Sequence, residues 1–266
     1  MTETGRMIEP GSRWWGEYRL RPGEAGSWLI GPLALRVQHQ EGEWVIGTAR
    51  SSELDDAVEV RVPHAVGPWS PGFEVTSFAV SRTTERLVLL PILPPRSLVV
   101  RPEARLSVPE EEEVTLRVRA PLWVKVGIGE GAKTLIEVPC VNLPSTWFGP
   151  SPTEGELCYA LRASGRLRAK DLVAAAHEAL VTVRIRNRAD TPLLVERINL
   201  PVESLRLYEQ EGVGLLTNAV SLDRVAETEV NVRVEPGPPP GVVAALVTDG
   251  RVGAGVFRRA FGSLFR

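Results

Sequence analysis

Branched aliphatic residues recur along this chain with a period of two. Leu33, Leu35 and Val37 lead into a polar turn at 40–43, and Trp44 and Ile46 follow, which predicts a hairpin. Val58, Val60 and Val62 alternate with Glu59 and Arg61, and Val114, Leu116 and Val118 alternate with Thr115, Arg117 and Arg119. The same beat runs through Leu122, Val124, Val126 and Ile128, then Val181, Val183 and Ile185, then Val230, Val232 and Val234. Successive side chains of a strand face opposite sides, so this beat sets one face in the core and the other in water. That is the signature of antiparallel rather than parallel sheets.

Twenty-two prolines and 24 glycines punctuate the runs. Pro63, Pro91, Pro121, Pro139 and Pro201 stand where strands should begin or stop, because proline has no N–H to give to a ladder. Over 181–202 a strand ending at Asn187, a turn at 188–192 and a second strand from Leu193 to about Leu200 read as a hairpin of the kind found in immunoglobulin-like domains. Gly127–Gly131 reads as a hairpin turn and Glu110–Glu113 as a solvated acidic turn.

A helix is expected over 168–180, where Leu172, Ala176, Ala179 and Leu180 share a face and Asp171 sits near the start. The proline- and glycine-rich stretches 96–102 and 235–241 are the candidate linkers. The expected architecture is an all-β, antiparallel β-sandwich of immunoglobulin-like type, in two β domains with one or two short helices. The N-terminal β domain spans 1–100, the immunoglobulin-like sandwich 101–237, and a final strand with a basic amphipathic tail 238–266. The two halves could also share one continuous sheet system.

Composition narrows the classes of function. The 266 residues are 43% apolar and 24% charged, with 31 basic and 33 acidic side chains and a net charge of −2. That balance gives no global electrostatic case for binding nucleic acid. The N-terminus has no secretion-signal pattern, and no stretch is long and apolar enough to span a bilayer. The expected location is the cytoplasm. Two cysteines, Cys140 and Cys158, do not make a disulfide framework; one bridge between them or two reduced, buried thiols both fit the spacing.

One segment reads like a family. It begins with Val100-Arg-Pro, Leu106-Ser-Val-Pro, Pro121-Leu-Trp-Val-Lys-Val and Ile136-Glu-Val-Pro. Its densest part is Ser145-Thr-Trp-Phe-Gly followed by Gly155-Glu-Leu-Cys-Tyr-Ala-Leu; Val183-Arg-Ile-Arg-Asn, Pro192-Leu-Leu-Val-Glu-Arg and Leu200-Pro-Val come after. Across 98–208 the chain resembles the prokaryotic, mainly archaeal family called domain of unknown function 432. The resemblance transfers no catalytic or ligand-binding residue; it implies at most an accessory role beside a membrane protein.

Candidate chemistry is sparse. His39, His64, His177, Cys140 and Cys158 hold none of the close pairs that transition-metal sites use, so no metal or cofactor is expected. Cys140 or Cys158 with His177, or a serine with His64, could be drawn as a nucleophile–base pair, but nothing in the spacing favours it, and no catalytic residue is assigned. Paired carboxylates far apart in sequence stay open.

Two segments stand out as binding surfaces. In the loop over 145–159, Trp147 and Phe148 offer apolar area, with Glu156 as a polar partner and Tyr159 beside it. In the tail over 251–266, a helical wheel collects Val252, Val256, Phe257, Ala260, Phe261, Leu264 and Phe265 on one side. Arg251, Arg258, Arg259 and Arg266 lie on the other. Such a segment can pack on its own body, dock in a partner's groove or lie on an anionic membrane surface. Its three glycines each weaken a helix by roughly 1 kcal/mol.

The expectation is a non-enzymatic interaction or accessory protein with a protein partner and no nucleic acid. It would work through Trp147, Phe148, Glu156 and Tyr159 and through Phe257, Arg258, Arg259, Phe261 and Phe265, the last group acting beside a membrane protein. The alternative is a hydrolase or carbohydrate-binding module with a cleft between β domains. The pattern specifies no oligomeric state.

Overall fold

In a computed structural model the chain is all-β. The structure describes residues 13–52, 56–81, 84–102, 105–149, 151, 153–163, 173–226, 230–251 and 256–259. It divides into two compact units, each drawn from several stretches of sequence.

The first unit is drawn from 1–92, 121–141 and 175–177. It holds a four-stranded sheet in the order Gly16–Arg19, Arg86–Ile92, Trp123–Ile128, Lys133–Pro139, and a five-stranded sheet in the order Val58–Ala65, Glu24–Ile30, Leu33–Gln40, Glu43–Arg50, Glu74–Ala79. Every pairing in both is antiparallel. The alternation read from sequence points Leu33, Leu35, Val37, Trp44 and Ile46 into one core with Leu87, Leu89, Val124 and Val126, all buried.

Tryptophan does much of the filling. Trp14, Trp28 and Trp44 are among the largest fully buried side chains. Tyr18 meets the Trp28 ring edge-on at 5.1 Å. Trp14 Nε1 donates to Ala176 O at 2.8 Å, tying the short 175–177 stretch into this unit. His39 is fully buried, stacked on Trp44 at 4.1 Å, with Nδ1 2.8 Å from Leu20 O. The expected 33–46 hairpin forms, with Gln40 opposite Glu43 and a positive φ at Gly42. So does the glycine turn after Ile128, where Gly129 has φ 73°.

The second unit is drawn from 93–120, 142–174 and 178–266. Its large sheet runs Ala245–Thr248, Leu207–Gln210, Gly214–Thr217, Glu178–Asn187, Val220–Arg224, Val230–Val234, Val256–Arg259, with Glu113–Pro121 also on Glu178–Asn187. A four-stranded sheet runs Ser145–Phe148, Glu156–Ala163, Leu98–Pro102, Ile198–Leu200, and a ladder joins Leu193–Val195 to Leu106–Val108.

Among the described residues three pairings here are parallel: Glu156–Ala163 with Leu98–Pro102, and Glu178–Asn187 with both Gly214–Thr217 and Val220–Arg224. Alternation reports which face is buried, not which neighbour a strand takes, so this departure from a wholly antiparallel expectation had no signal.

Several local expectations are corrected. Of the helix expected over 168–180, the described part is not helical: 173–177 carries no helix and Glu178–Asn187 is a strand. Ala179, Val181, Val183 and Ile185 are buried within that strand, and burial of a β-branched row overrides a weak helical wheel. The candidate linker at 96–102 contains the strand Leu98–Pro102, whose Leu98, Val99 and Val100 are buried between two neighbours.

The hairpin expected over 181–202 is not made. Its first strand ends at Asn187 as expected, but Leu193–Val195 pairs with Leu106–Val108 and Ile198–Leu200 with Leu98–Pro102. Buried Asn187 explains the divergence. Its Nδ2 donates to Val108 O, Pro109 O and Thr191 O, so the turn is stitched to another strand rather than folded back on its own. Buried Arg224 completes the knot with bonds to Thr191 O at 2.7 Å, Thr191 Oγ1 at 3.0 Å and Asn187 Oδ1 at 3.3 Å.

Candidate functional site

Among the described residues Ser145–Phe148 is an edge strand that pairs with Glu156–Ala163 alone. Ala160 N–H donates to Pro144 O at 2.8 Å, and this sets the phase of the ladder. Thr146 and Phe148 bond inward, while Ser145 and Trp147 turn their N–H and C=O groups to the open edge. Trp147 and Leu157 are therefore a non-hydrogen-bonded pair, the kind whose side chains lie closest. Both are exposed, at 44% and 46%.

The hairpin that presents them is braced by its backbone. A Cβ on Gly149 would lie 2.0 Å from Glu154 O, and a Cβ on Gly155 would lie 2.5 Å from Phe148 O. Only glycine lets the two arms approach this closely. Trp147 Nε1 donates to Ser151 O at 2.8 Å, and Ser151 Oγ accepts from Glu154 N–H at 3.0 Å. The Trp-Phe-Gly and Gly-Glu pieces thus encode the close approach of the two arms.

The four candidates of this loop come together on one hairpin but on opposite faces. Trp147 and Tyr159 share the outer face with Leu157, and the Arg96 guanidinium lies 5.5 Å from the Tyr159 ring. Phe148, Glu156 and Cys158 share the inner face. Phe148 is buried under Arg197, 5.2 Å from its ring, and Glu156 accepts a hydrogen bond from buried Asn199. Glu156 is therefore a partner of the interior and not of Trp147. Phe257, Arg258 and Arg259 lie in the strand Val256–Arg259, paired with Val230–Val234, so this part of the tail is extended rather than helical. Their side chains, and Phe261 and Phe265 altogether, lie outside the described residues.

Chemistry that the spacing did not suggest appears on the five-stranded sheet. Ser27 Oγ is 2.8 Å from His64 Nε2, and His64 Nδ1 is 3.0 Å from Ala65 O. The contact resembles a nucleophile with its base, but Ser27 sits in an inner strand and its N–H is committed to Arg61 across the ladder.

Nearby, residues 66–73 strap the same face. Arg36 donates to Pro68 O and Gly67 O at 2.8 and 3.1 Å, and Trp69 lies over Gly47, where a Cβ would meet the indole at 2.2 Å. A lone glycine inside an alternating strand was the available sign of that close approach.

Both cysteines are buried thiols outside any disulfide, and burial pushes the Cys140 thiol well above its ordinary range against a smaller lowering by Arg50. Among the described residues no three His, Cys, Asp or Glu side chains gather in a way that could hold a metal ion. Among the same residues no helix is long and apolar enough to cross a membrane.

These features define an all-β protein that displays an apolar pair on a braced edge hairpin. The chain belongs to the family described as protein of unknown function (DUF432), whose model matches residues 14–265. No curated protein and no solved structure matches it.

Proposed function

We propose that this is a non-enzymatic interaction protein that holds an extended segment of a partner protein along Ser145–Phe148. The observation that carries the reading is the exposed Trp147–Leu157 pair beside an open edge on a hairpin whose arms Gly149 and Gly155 let approach closely. A strand added at this edge would take its backbone bonds from Ser145 and Trp147 and lay alternate side chains against the indole. Because the turn is braced, little conformational freedom is lost on binding. A cytoplasmic location belongs to the same proposal and is supported by the two unbridged thiols. An immunoglobulin-like type for the second unit belongs to the proposal too and is supported by its many short strands.

Selection from a displayed library of random peptides tests the proposal. Enriched peptides should carry apolar residues at alternate positions, and Trp147→Ala should weaken their binding at least about tenfold. Ser145→Pro removes an edge N–H and should do the same while leaving thermal unfolding unchanged. Absence of enrichment, or peptides indifferent to both variants, would defeat it. Binding to immobilised glycans that is lost with Trp147→Ala would favour a carbohydrate module instead. A role for residues 251–266 at a membrane is checked by flotation with anionic vesicles, which should lift the full chain and not a chain ending at Gly250.

A further inference from the structure

Among the described residues the five-stranded sheet ends at Glu74–Ala79, which pairs on one side only, with Glu43–Arg50. Glu74, Val75, Thr76, Ser77 and Ala79 are exposed and only Phe78 is partly covered, so both faces of this strand meet solvent as well as its free edge. Val80 N–H donates to Gly42 O at 2.9 Å. In that phase Glu74, Thr76 and Phe78 bond inward to Thr48, Ile46 and Trp44, and Val75, Ser77 and Ala79 aim their N–H and C=O groups away from the sheet. Val75, Thr76 and Phe78 favour the strand, which has no proline and one charge, Glu74, at its start. Such an edge is a template for another strand.

We propose that the strand it takes is Glu74–Ala79 of a second copy, added antiparallel about a two-fold axis normal to the sheet and midway between the two Ser77 residues. Such an axis keeps outer face with outer face, so residues of like parity must meet. Ser77 then faces Ser77, Val75 faces Ala79, Thr76 faces Phe78 and Glu74 faces Val80 across the axis. No charge meets its like, and apolar residues meet on the outer face. Each outward N–H and C=O of Val75, Ser77 and Ala79 finds its counterpart, because the residues that point outward are also the residues the axis pairs. Phe78, backed by Trp44 within its own sheet, gains cover on its open side.

Sedimentation equilibrium of the full chain tests this. The wild type should be a dimer at sub-millimolar concentration. Ser77→Lys, which sets two ammonium groups across the axis on an exposed position, should halve the mass and leave the circular dichroism spectrum unchanged. Ser77→Cys should cross-link into a covalent dimer under mild oxidation. Hydrogen-bonded antiparallel pairs place their Cα atoms about 5.5 Å apart, within disulfide reach. A monomeric wild type, an undiminished mass in Ser77→Lys, or no cross-link in Ser77→Cys would each overturn the proposal. An edge reserved for some other protein gives the first of these.

Discussion

Along one edge of the five-stranded sheet runs Val58–Ala65, and along the other runs Glu74–Ala79. The first carries the devices that stop strand addition. Glu59 and Arg61 pair on its surface at 3.3 Å. A register shift opposite Ala25–Ser27 interrupts the ladder, and within it Pro63 presents an N–H-free residue on the solvent side. The second edge has none of them. A bulge, a proline and a charged pair are what soluble proteins place on edges that must stay alone. Both edges belong to one sheet in one unit, so the contrast is not a difference in stability or burial of the parent sheet. It points to one edge being kept closed and the other being kept available.

The largest effect expected on this comparison comes from Trp44, which stacks on His39 and backs Phe78. Trp44→Ala should lower unfolding free energy by about 3–5 kcal/mol, read by chemical denaturation, and should loosen the open edge before the closed one in amide hydrogen exchange.

Proline placed at two adjacent positions sharpens it further. Thr76→Pro removes an N–H that bonds inward and should destabilise by about 3 kcal/mol. Val75→Pro removes one that points to solvent and should change stability by less than about 1 kcal/mol while abolishing self-association. Equal losses for the two would mean that the assigned phase of the ladder is wrong.

Gly47→Ala acts between the edges, since its Cβ would strike the Trp69 ring. The strap should lift, with a red shift in tryptophan emission and a loss of about 1 kcal/mol, and with the dimer retained.

The smallest effect concerns Tyr18 at the Trp28 ring, on the strand next to the closed edge. Burial pushes its phenol above 10.0, outweighing the lowering by Trp28 and Arg13. Folding therefore favours the neutral phenol. Stability from this group is intact below pH 10.0 and declines as pH rises through the raised value, and a Tyr18→Phe variant should show a shallower alkaline loss in a pH series of melts.

Legibility differed between the two kinds of site feature. The 145–159 loop stood out as aromatic and glycine-rich, and it does form one hairpin. What could not be read was that Trp147 and Glu156 lie on opposite faces. That follows from the register Phe148↔Glu156, which the close glycine contact sets. Leu157 escaped notice because a lone leucine in a strand reads as core until its cross-strand partner is known. The open edge escaped for a related reason: Val75, Thr76, Ser77 and Phe78 make an ordinary strand sequence, and only the sheet order shows that no neighbour follows.

The alternation of Val, Leu and Ile with polar residues determined by itself that the chain would be strands with buried and wet faces, because side-chain direction along a strand is a local property of the backbone. Prolines and glycines likewise marked many of the turns. Which strand lies beside which was decided only in three dimensions. The parallel partners of Glu178–Asn187, the diversion of Leu193–Val195 away from it and the bare flank of Glu74–Ala79 all depend on contacts between residues far apart in sequence. Buried groups such as Asn187 and Arg224 settle those contacts by demanding hydrogen-bond partners wherever the fold can supply them, and no periodicity along the chain records that demand.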